Sequence, residues 1–526
     1  MNILKEIDSY QIDADGILVD VNISQGEEDF VPSYEISILN ISKATSVILE
    51  KIRQKFVSEV NVGTIEISGF EGMQKVKEKF KEEMELLLKK LFPNINNENL
   101  KLLTTYLIQQ DLGLGHLEIL LKDVNLEEVV VNSAKEPIWV YHKIHGWLKT
   151  NVRLESEEQI RHYSTMIGKD VGKQITILSP LMDAHLLTGD RVNATLNPIS
   201  NFGNTITIRK FAARPWTITD FLKANTISYE AAALIWLAIQ NEMSVLIAGG
   251  TGSGKTSMLN VLCNFLPPNQ RIISIEDTRE LKLPTTLHWV PMETRQPNPE
   301  GKGEVSMLDL VVNSLRMRPD RILVGEIRRQ KEAEVLFEAM HTGHSVYGTI
   351  HANNARETVT RLTNPPIDVP KLMLPALNLI LVQNRNRRTG KRRTLQIAEI
   401  MPDGDPNVIM QYDAQKDMMF PKNKSKTLYE TLNLYTGMSE KDIDDDLKEK
   451  ISILKDLVNR NINDINQIGL ILAKYYLNSV KEAKQKKSYN ELHVKKASDK
   501  DNNELQNDKD NTKLQKKVVS KKSKQK

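Results

Sequence analysis

Between Ser244 and Leu259 the chain reads SVLIAGGTGSGKTSML. Gly249-Gly250-Thr251-Gly252-Ser253-Gly254-Lys255-Thr256 fits the P-loop pattern G-x-x-x-x-G-K-[ST]. Glycines free the backbone to aim successive N–H groups at one phosphate group, and the helix that follows adds its positive end. Lys255 is expected to reach the β- and γ-phosphates of a nucleoside triphosphate, and Thr256, followed by Ser257, to offer its hydroxyl to Mg²⁺. A Gly-rich turn without function is the plainer reading. At ordinary composition the four fixed positions recur in roughly 2 of 100 chains this long. An apolar run before them (Ser244 to Ala248) and a helix-like stretch after them (Ser257 to Phe265) favour a nucleoside triphosphate site.

Three further stretches pair an apolar run with a polar end. Ile272 to Ile275 leads into Glu276 and Asp277, Ile322 to Gly325 into Glu326 and Arg328, and Tyr347 to Ile350 into His351. In a doubly wound sheet such ends converge where the P-loop opens. Carboxylates there can hold Mg²⁺ through water or align the attacking water, and a histidine can sense the γ-phosphate. Taken singly, each has a duller reading as a helix cap, an ion pair or a surface histidine.

The elements that must position these residues are strands and helices in alternation. Runs at Ser244–Ala248, Arg271–Glu276, Arg321–Gly325, Ser345–Ile350, Leu379–Gln383 and Leu395–Ile400 read as strands, with helices at Leu308–Arg316 and Lys331–Met340. The spacing predicts an α/β fold, a largely parallel RecA-like doubly wound P-loop domain over residues 219–402. Before it, an α+β N-terminal domain is expected over 73–212, preceded by a small α+β module over 1–72 with a helix at Ser42–Phe56. A linker over 213–218 is marked by Pro215. Residues 403–480 read as a helical extension. The tail, 481–526, carries 15 lysines against 7 acidic residues and almost no large apolar side chain, so it is expected to be disordered.

Composition narrows the field. The chain has 526 residues, a net charge of +3 and one cysteine, Cys263. A disulfide framework and a multi-cysteine metal site are excluded, and a cytosolic setting is expected. No apolar stretch is long enough for a bilayer span: the best, Ala231 to Ala248, is interrupted by Gln240, Asn241 and Glu242. Aromatics make up 6% of residues, and no basic stripe interleaved with them argues for nucleic acid.

GGTGSGKT, RIISIEDTREL, LRMRPDRILVGEIR and MHTGHSVYGTIHAN, in that order, resemble the Walker A, Asp box, Walker B and His box of the type II/type IV secretion ATPases. GKQITILSPLMDAHLLTGDRVNATL and TITIRKF resemble the end of that family's PAS-like N-terminal domain. The match runs from about Glu98 to Met401. TIHANNARETVTRLTNPPIDVP, LYTGMSEKDIDDDL and LAKYYLN are most similar to the archaeal branch, which serves archaellum and type IV pilus assembly. Gly325 stands where many P-loop enzymes carry Asp, a feature shared with the secretion family. LLTGDR at 186–191 departs from a proline-containing turn common there.

The resemblance implies a cytosolic homo-hexamer at the inner face of the membrane, acting on a polytopic platform protein; the composition argues against nucleic acid as a partner. It implies that Glu326 activates water and contacts Mg²⁺, that Glu276 assists, and that His351 reports the γ-phosphate. Arg191 and Arg209 would contact phosphates from the N-terminal domain, with Arg295, Arg316 or Arg318 as substitutes. A DNA-translocating ring and a non-hydrolysing nucleotide switch remain the competing readings.

Overall fold

The computed structural model describes residues 5–39, 41, 45, 47–49, 51–53, 70–186, 188–210, 214–297 and 301–479. The Lys-rich tail and most of the helix expected at Ser42–Phe56 lie outside them. Two compact units divide between Arg214 and Pro215.

The N-terminal unit is built on nine strands: β1 (Lys5–Ala14), β2 (Ile17–Gln25), β3 (Ser33–Ile38), β4 (Leu126–Val131), β5 (Trp139–His142), β6 (Gly146–Thr150), β7 (Leu181–His185), β8 (Arg191–Thr195) and β9 (Thr205–Arg209). They form a single sheet in the order β1-β2-β3-β6-β5-β4-β9-β8-β7, antiparallel except where β3 meets β6. Period-two alternation dictates this. In β2, Ile17, Val19, Val21 and Ile23 are buried while Leu18 and Asn22 face out. The helices Asn97–Leu112, His116–Lys122 and Glu157–Asp170 add Leu103, Leu107, Leu117, Leu120 and Ile160 to the same core. Residues 5–38, read from the sequence as the start of a separate small module, are instead three strands of this shared sheet. Their apolar face is completed by residues beyond 72, such as Leu117 and Val140.

The C-terminal unit carries β10 (Val245–Gly249), β11 (Arg271–Glu276), β12 (His288–Glu293), β13 (Arg321–Val324), β14 (Ser345–Ile350), β15 (Leu379–Arg385), β16 (Arg392–Ile400), β17 (Pro406–Asp413) and β18 (Met418–Pro421). The order is β12-β11-β13-β14-β10-β15-β16-β17-β18. The first six are parallel to one another and the last three join antiparallel. β10, β13 and β14 are buried along their whole length, because apolar layers cover both faces. Val245 and Ile247 face one layer with Met258, Leu259 and Trp236. Leu246 and Ala248 face the other with Phe337 and Ile350. This is the α/β doubly wound arrangement that the alternation predicts.

Residues 403–480 are not purely helical. β17 and β18 extend the sheet, and the helices Thr427–Thr436, Glu440–Asn459 and 465–479 pack Leu432, Leu454, Leu457 and Leu472 into the core of the unit. Trp236 Nε1 donates to Tyr476 Oη at 2.8 Å. The buried Glu399 accepts from the backbone N–H groups of Lys426 and Leu428 at 2.8 and 3.0 Å, fastening the start of the first of these helices. Among the described residues no helix is long and apolar enough to cross a membrane.

Candidate functional site

The parallel strands all end on one side of the sheet, so the polar residues that follow them meet there. The loop after β10 is shaped by close packing. A Cβ at Gly249 would lie 2.4 Å from Ser253 Oγ and 2.6 Å from the Gln383 carbonyl oxygen, so no larger residue fits. Gly252 and Gly254 take φ of +71° and +90°, a region that costs side-chain-bearing residues energy. Gly254 then starts the helix Lys255–Leu262. The result is a loop of main-chain donors opening onto a helix N-terminus, which suits phosphate.

Lys255 folds over this loop. Its Nζ donates to the Gly250 carbonyl at 3.1 Å and lies 3.3 Å from His351 Nδ1. An ammonium only donates, so Nδ1 must accept and the ring proton sits on Nε2. Nε2 is 3.1 Å from Glu326 Oε1. Burial and the Lys255 charge hold the His351 pKa below the usual histidine value, consistent with that neutral tautomer. The other oxygen of Glu326 accepts from Arg328 at 2.6 Å, and Arg328 also reaches Asp277 at 2.5 Å. Lys255, His351, Glu326, Arg328 and Asp277 thus form one chain of contacts across the tips of β10, β14, β13 and β11.

Local structure fixes Glu326 in that chain. Thr349 Oγ1 donates to the Gly325 carbonyl at 2.6 Å, and Ile327 N–H donates to the Thr349 carbonyl at 2.9 Å. β14 therefore grips both neighbours of Glu326, whose side chain is 18% exposed. Gly325 packs against Glu276: a Cβ there would lie 3.5 Å from the Glu276 side chain. Glu276 is buried and half satisfied. Its Oε1 accepts from the N–H groups of Glu280 and Leu281 at 2.9 and 3.1 Å, while Oε2 has no hydrogen-bond partner. Burial pushes its pKa up to about 7. A buried carboxylate with one oxygen unmet is a group that a cation or a polarised water can satisfy.

A cavity of about 400 Å³ adjoins Glu326 and is lined by Asp277, Arg295, Glu304, Arg328 and Lys331. Arg295 Nε donates to the Gly303 carbonyl at 2.6 Å. Arg191 and Arg209 belong to the N-terminal unit, where they are cross-strand neighbours on β8 and β9. Both lie on the exposed face, and Arg191 makes two bonds to Asp183, at 3.0 and 2.6 Å.

Sequence reasoning missed Arg385 and Arg392, which face each other across β15 and β16. Arg392 Nε donates to the Gly252 carbonyl at 3.2 Å. The signal for them was the basic run Arg385 to Arg393 between two strands.

Residues 111–418 match the family model described as type II/IV secretion system protein. The chain belongs to that family. Relatives include an uncharacterized protein of Methanocaldococcus jannaschii, 37% identical over 384 residues, covering 70% of this chain and 69% of that one. Type IV secretion system protein PtlH of Bordetella pertussis is 29% identical over 314 residues, covering 53% of this chain and 92% of PtlH. Among solved structures, the pilus retraction motor PilT with bound ADP aligns at TM-score 0.41 and 18% identity, covering 63% of this chain and 96% of that one.

Proposed function

We propose that the protein hydrolyses ATP and, as a cytosolic homo-hexamer at the membrane's inner face, powers assembly of a type IV pilus- or archaellum-like filament, or type II/IV secretion, through a polytopic platform protein. The observation that carries the hydrolytic part is the contact chain from Lys255 through His351 to Glu326, laid across the mouth of the P-loop. In this reading the main chain from Gly249 to Thr256, with Ser257, cradles the phosphates. Lys255 leaves Gly250 and His351 for the β- and γ-phosphates, and the freed Nδ1 of His351 registers the γ-phosphate.

Glu326, released on one side, aligns the attacking water, and Glu276 assists. Among the described residues no three His, Cys, Asp or Glu side chains gather around a point that could hold a metal alone. Mg²⁺ would be held by Thr256 and Glu326 together with phosphate oxygens, and would neutralise charge that develops on them. Arg191 and Arg209 would reach phosphates from the N-terminal unit, which for Arg191 requires opening its pair with Asp183.

Steady-state ATP turnover, measured alone, with platform protein in liposomes and with DNA, tests the proposal. It expects basal turnover raised by the platform protein. Stimulation by DNA alone would favour a translocating ring, and nucleotide binding without turnover would favour a switch.

A further inference from the structure

β10 is flanked by β14 on one side and β15 on the other. On the β14 side the loop faces His351 and Glu326, the groups that would meet a γ-phosphate. The nucleoside end of a bound nucleotide must then lie toward β15 and β16. On that rim stand Arg385 and Arg392. Arg385 Nη1 lies 3.3 Å from where a Gly252 Cβ would sit, and Arg392 Cδ lies 3.4 Å from the same position at Gly254. Both glycines leave open the space that a side chain would take between the loop and these guanidiniums.

The hairpin is built to hold them there. Arg393, on the opposite face from Arg392, is buried. It makes paired bonds to Asp417 at 2.6 and 2.8 Å and donates to the Ala224 carbonyl at 2.9 Å. Asn386 Oδ1 accepts from the N–H groups of Arg388 and Thr389 at 2.9 and 3.2 Å, which fixes the turn. Gln383, two residues before Arg385, closes on Gly249. The base of the hairpin is therefore packed directly against the P-loop.

A guanidinium offers several donors to phosphate oxygens in a planar fork, so two of them at one rim of a phosphate loop suit a phosphate of the bound ligand. We infer that Arg392, assisted by Arg385, contacts the α-phosphate of the bound nucleotide from the same chain. This rests on the nucleotide-hydrolysing reading above and deepens it: affinity for the part of the ligand that ATP and ADP share is set by the β15–β16 hairpin, and discrimination between them by His351 and Glu326.

The test uses the full-length chain. Equilibrium affinities for Mg²⁺-ATP and Mg²⁺-ADP are measured by calorimetry for the wild type and for Arg392→Ala, Arg392→Gln, Arg392→Lys, Arg385→Ala and Lys255→Ala. Arg392→Ala should weaken both nucleotides by the same factor, about tenfold, the worth of one charged hydrogen bond. Arg385→Ala should weaken both by a smaller equal factor. Arg392→Gln keeps a donor for the Gly252 carbonyl, so recovery in that variant would reduce Arg392 to a prop for the loop and overturn the inference. Recovery with Lys and not with Gln supports it. A loss confined to ATP would move Arg392 to the γ end and also overturn it. If Lys255→Ala loses binding while Arg392→Ala keeps wild-type affinities, the inference fails and the P-loop reading stands. A wild-type chain that binds neither nucleotide overturns both.

Discussion

Asp123 in the N-terminal unit and Glu276 in the C-terminal unit are both buried carboxylates, and they are treated in opposite ways. Asp123 is saturated. Its Oδ2 accepts from Tyr10 and Tyr34, both at 2.7 Å, and its Oδ1 from Asn125 N–H at 2.8 Å. Lys210 donates to its carbonyl oxygen. Burial lowers the Lys210 pKa to about 8, with the Asp123 charge opposing the shift. Glu276 keeps one oxygen without a partner, and its pKa is raised instead. The bonded carboxyl fastens β1 and β3 to one point, and the main-chain carbonyl of the same residue holds Lys210 at the end of β9. On the proposed function, the saturated carboxyl keeps its unit's shape and the half-bonded one is completed by a ligand.

The largest effect expected is on turnover. Lys255→Ala removes the ammonium that faces the phosphates and frees His351 Nδ1 at once. ATP turnover should vanish while thermal unfolding stays close to the wild type, because the Lys255 side chain is half-buried and takes no part in the apolar core. Turnover near the wild-type rate would remove the P-loop from the chemistry.

Asp123→Ala should do the reverse. It strands the buried Tyr34 hydroxyl and the half-buried Tyr10 hydroxyl, at a cost of about 3 kcal/mol, read as a lower urea midpoint of the transition that involves the N-terminal unit. Asp123→Asn keeps an acceptor and should cost less. An unchanged midpoint for both variants would dissolve the contrast drawn with Glu276.

The smallest effect is the pH signature of Glu276. A carboxyl that ionises near pH 4.5 when unfolded and near 7 when folded binds its proton more tightly in the native state. Its contribution is therefore fully present below pH 4.5 and is lost as pH rises toward 7. Glu276→Gln should melt higher than the wild type at pH 8, by on the order of 2 kcal/mol, and the advantage should shrink as the pH falls toward 5. Parallel melting curves from pH 5 to 8 would show that Glu276 is already paired.

Much of the C-terminal unit was legible in the sequence because its strands are short, apolar along their length and followed by a chemistry-bearing residue. Glu276, Glu326 and His351 stand at the tips of β11, β13 and β14 for that reason. β12 escaped notice, since Pro291 and the exposed His288 and Glu293 blur an apolar run. β17 and β18 escaped because an edge hairpin is polar on its outer face. In the N-terminal unit, β1 is largely polar at its start and reads as a tail until β2 is seen beside it. Asp123 carries no sequence signal. A lone Asp before Val124 and Asn125 looks like a turn, and its role comes from Tyr10 and Tyr34, 113 and 89 residues away. Arg385 and Arg392 were visible as charge but not as geometry, because only the register of β15 with β16 brings them to the P-loop.

The most direct test of the central claim, that Glu326 acts on the water while the P-loop holds the nucleotide, is Glu326→Gln assayed for binding and turnover in one preparation. Gln preserves the size and one acceptor, so it keeps the bond from either His351 or Arg328 and gives up the other, and it removes the charge. ATP affinity within threefold of the wild type, with turnover lower by roughly 10²-fold or more, is the predicted result. Turnover that survives in Glu326→Gln but collapses in Glu276→Gln would contradict the account and exchange the roles of the two glutamates.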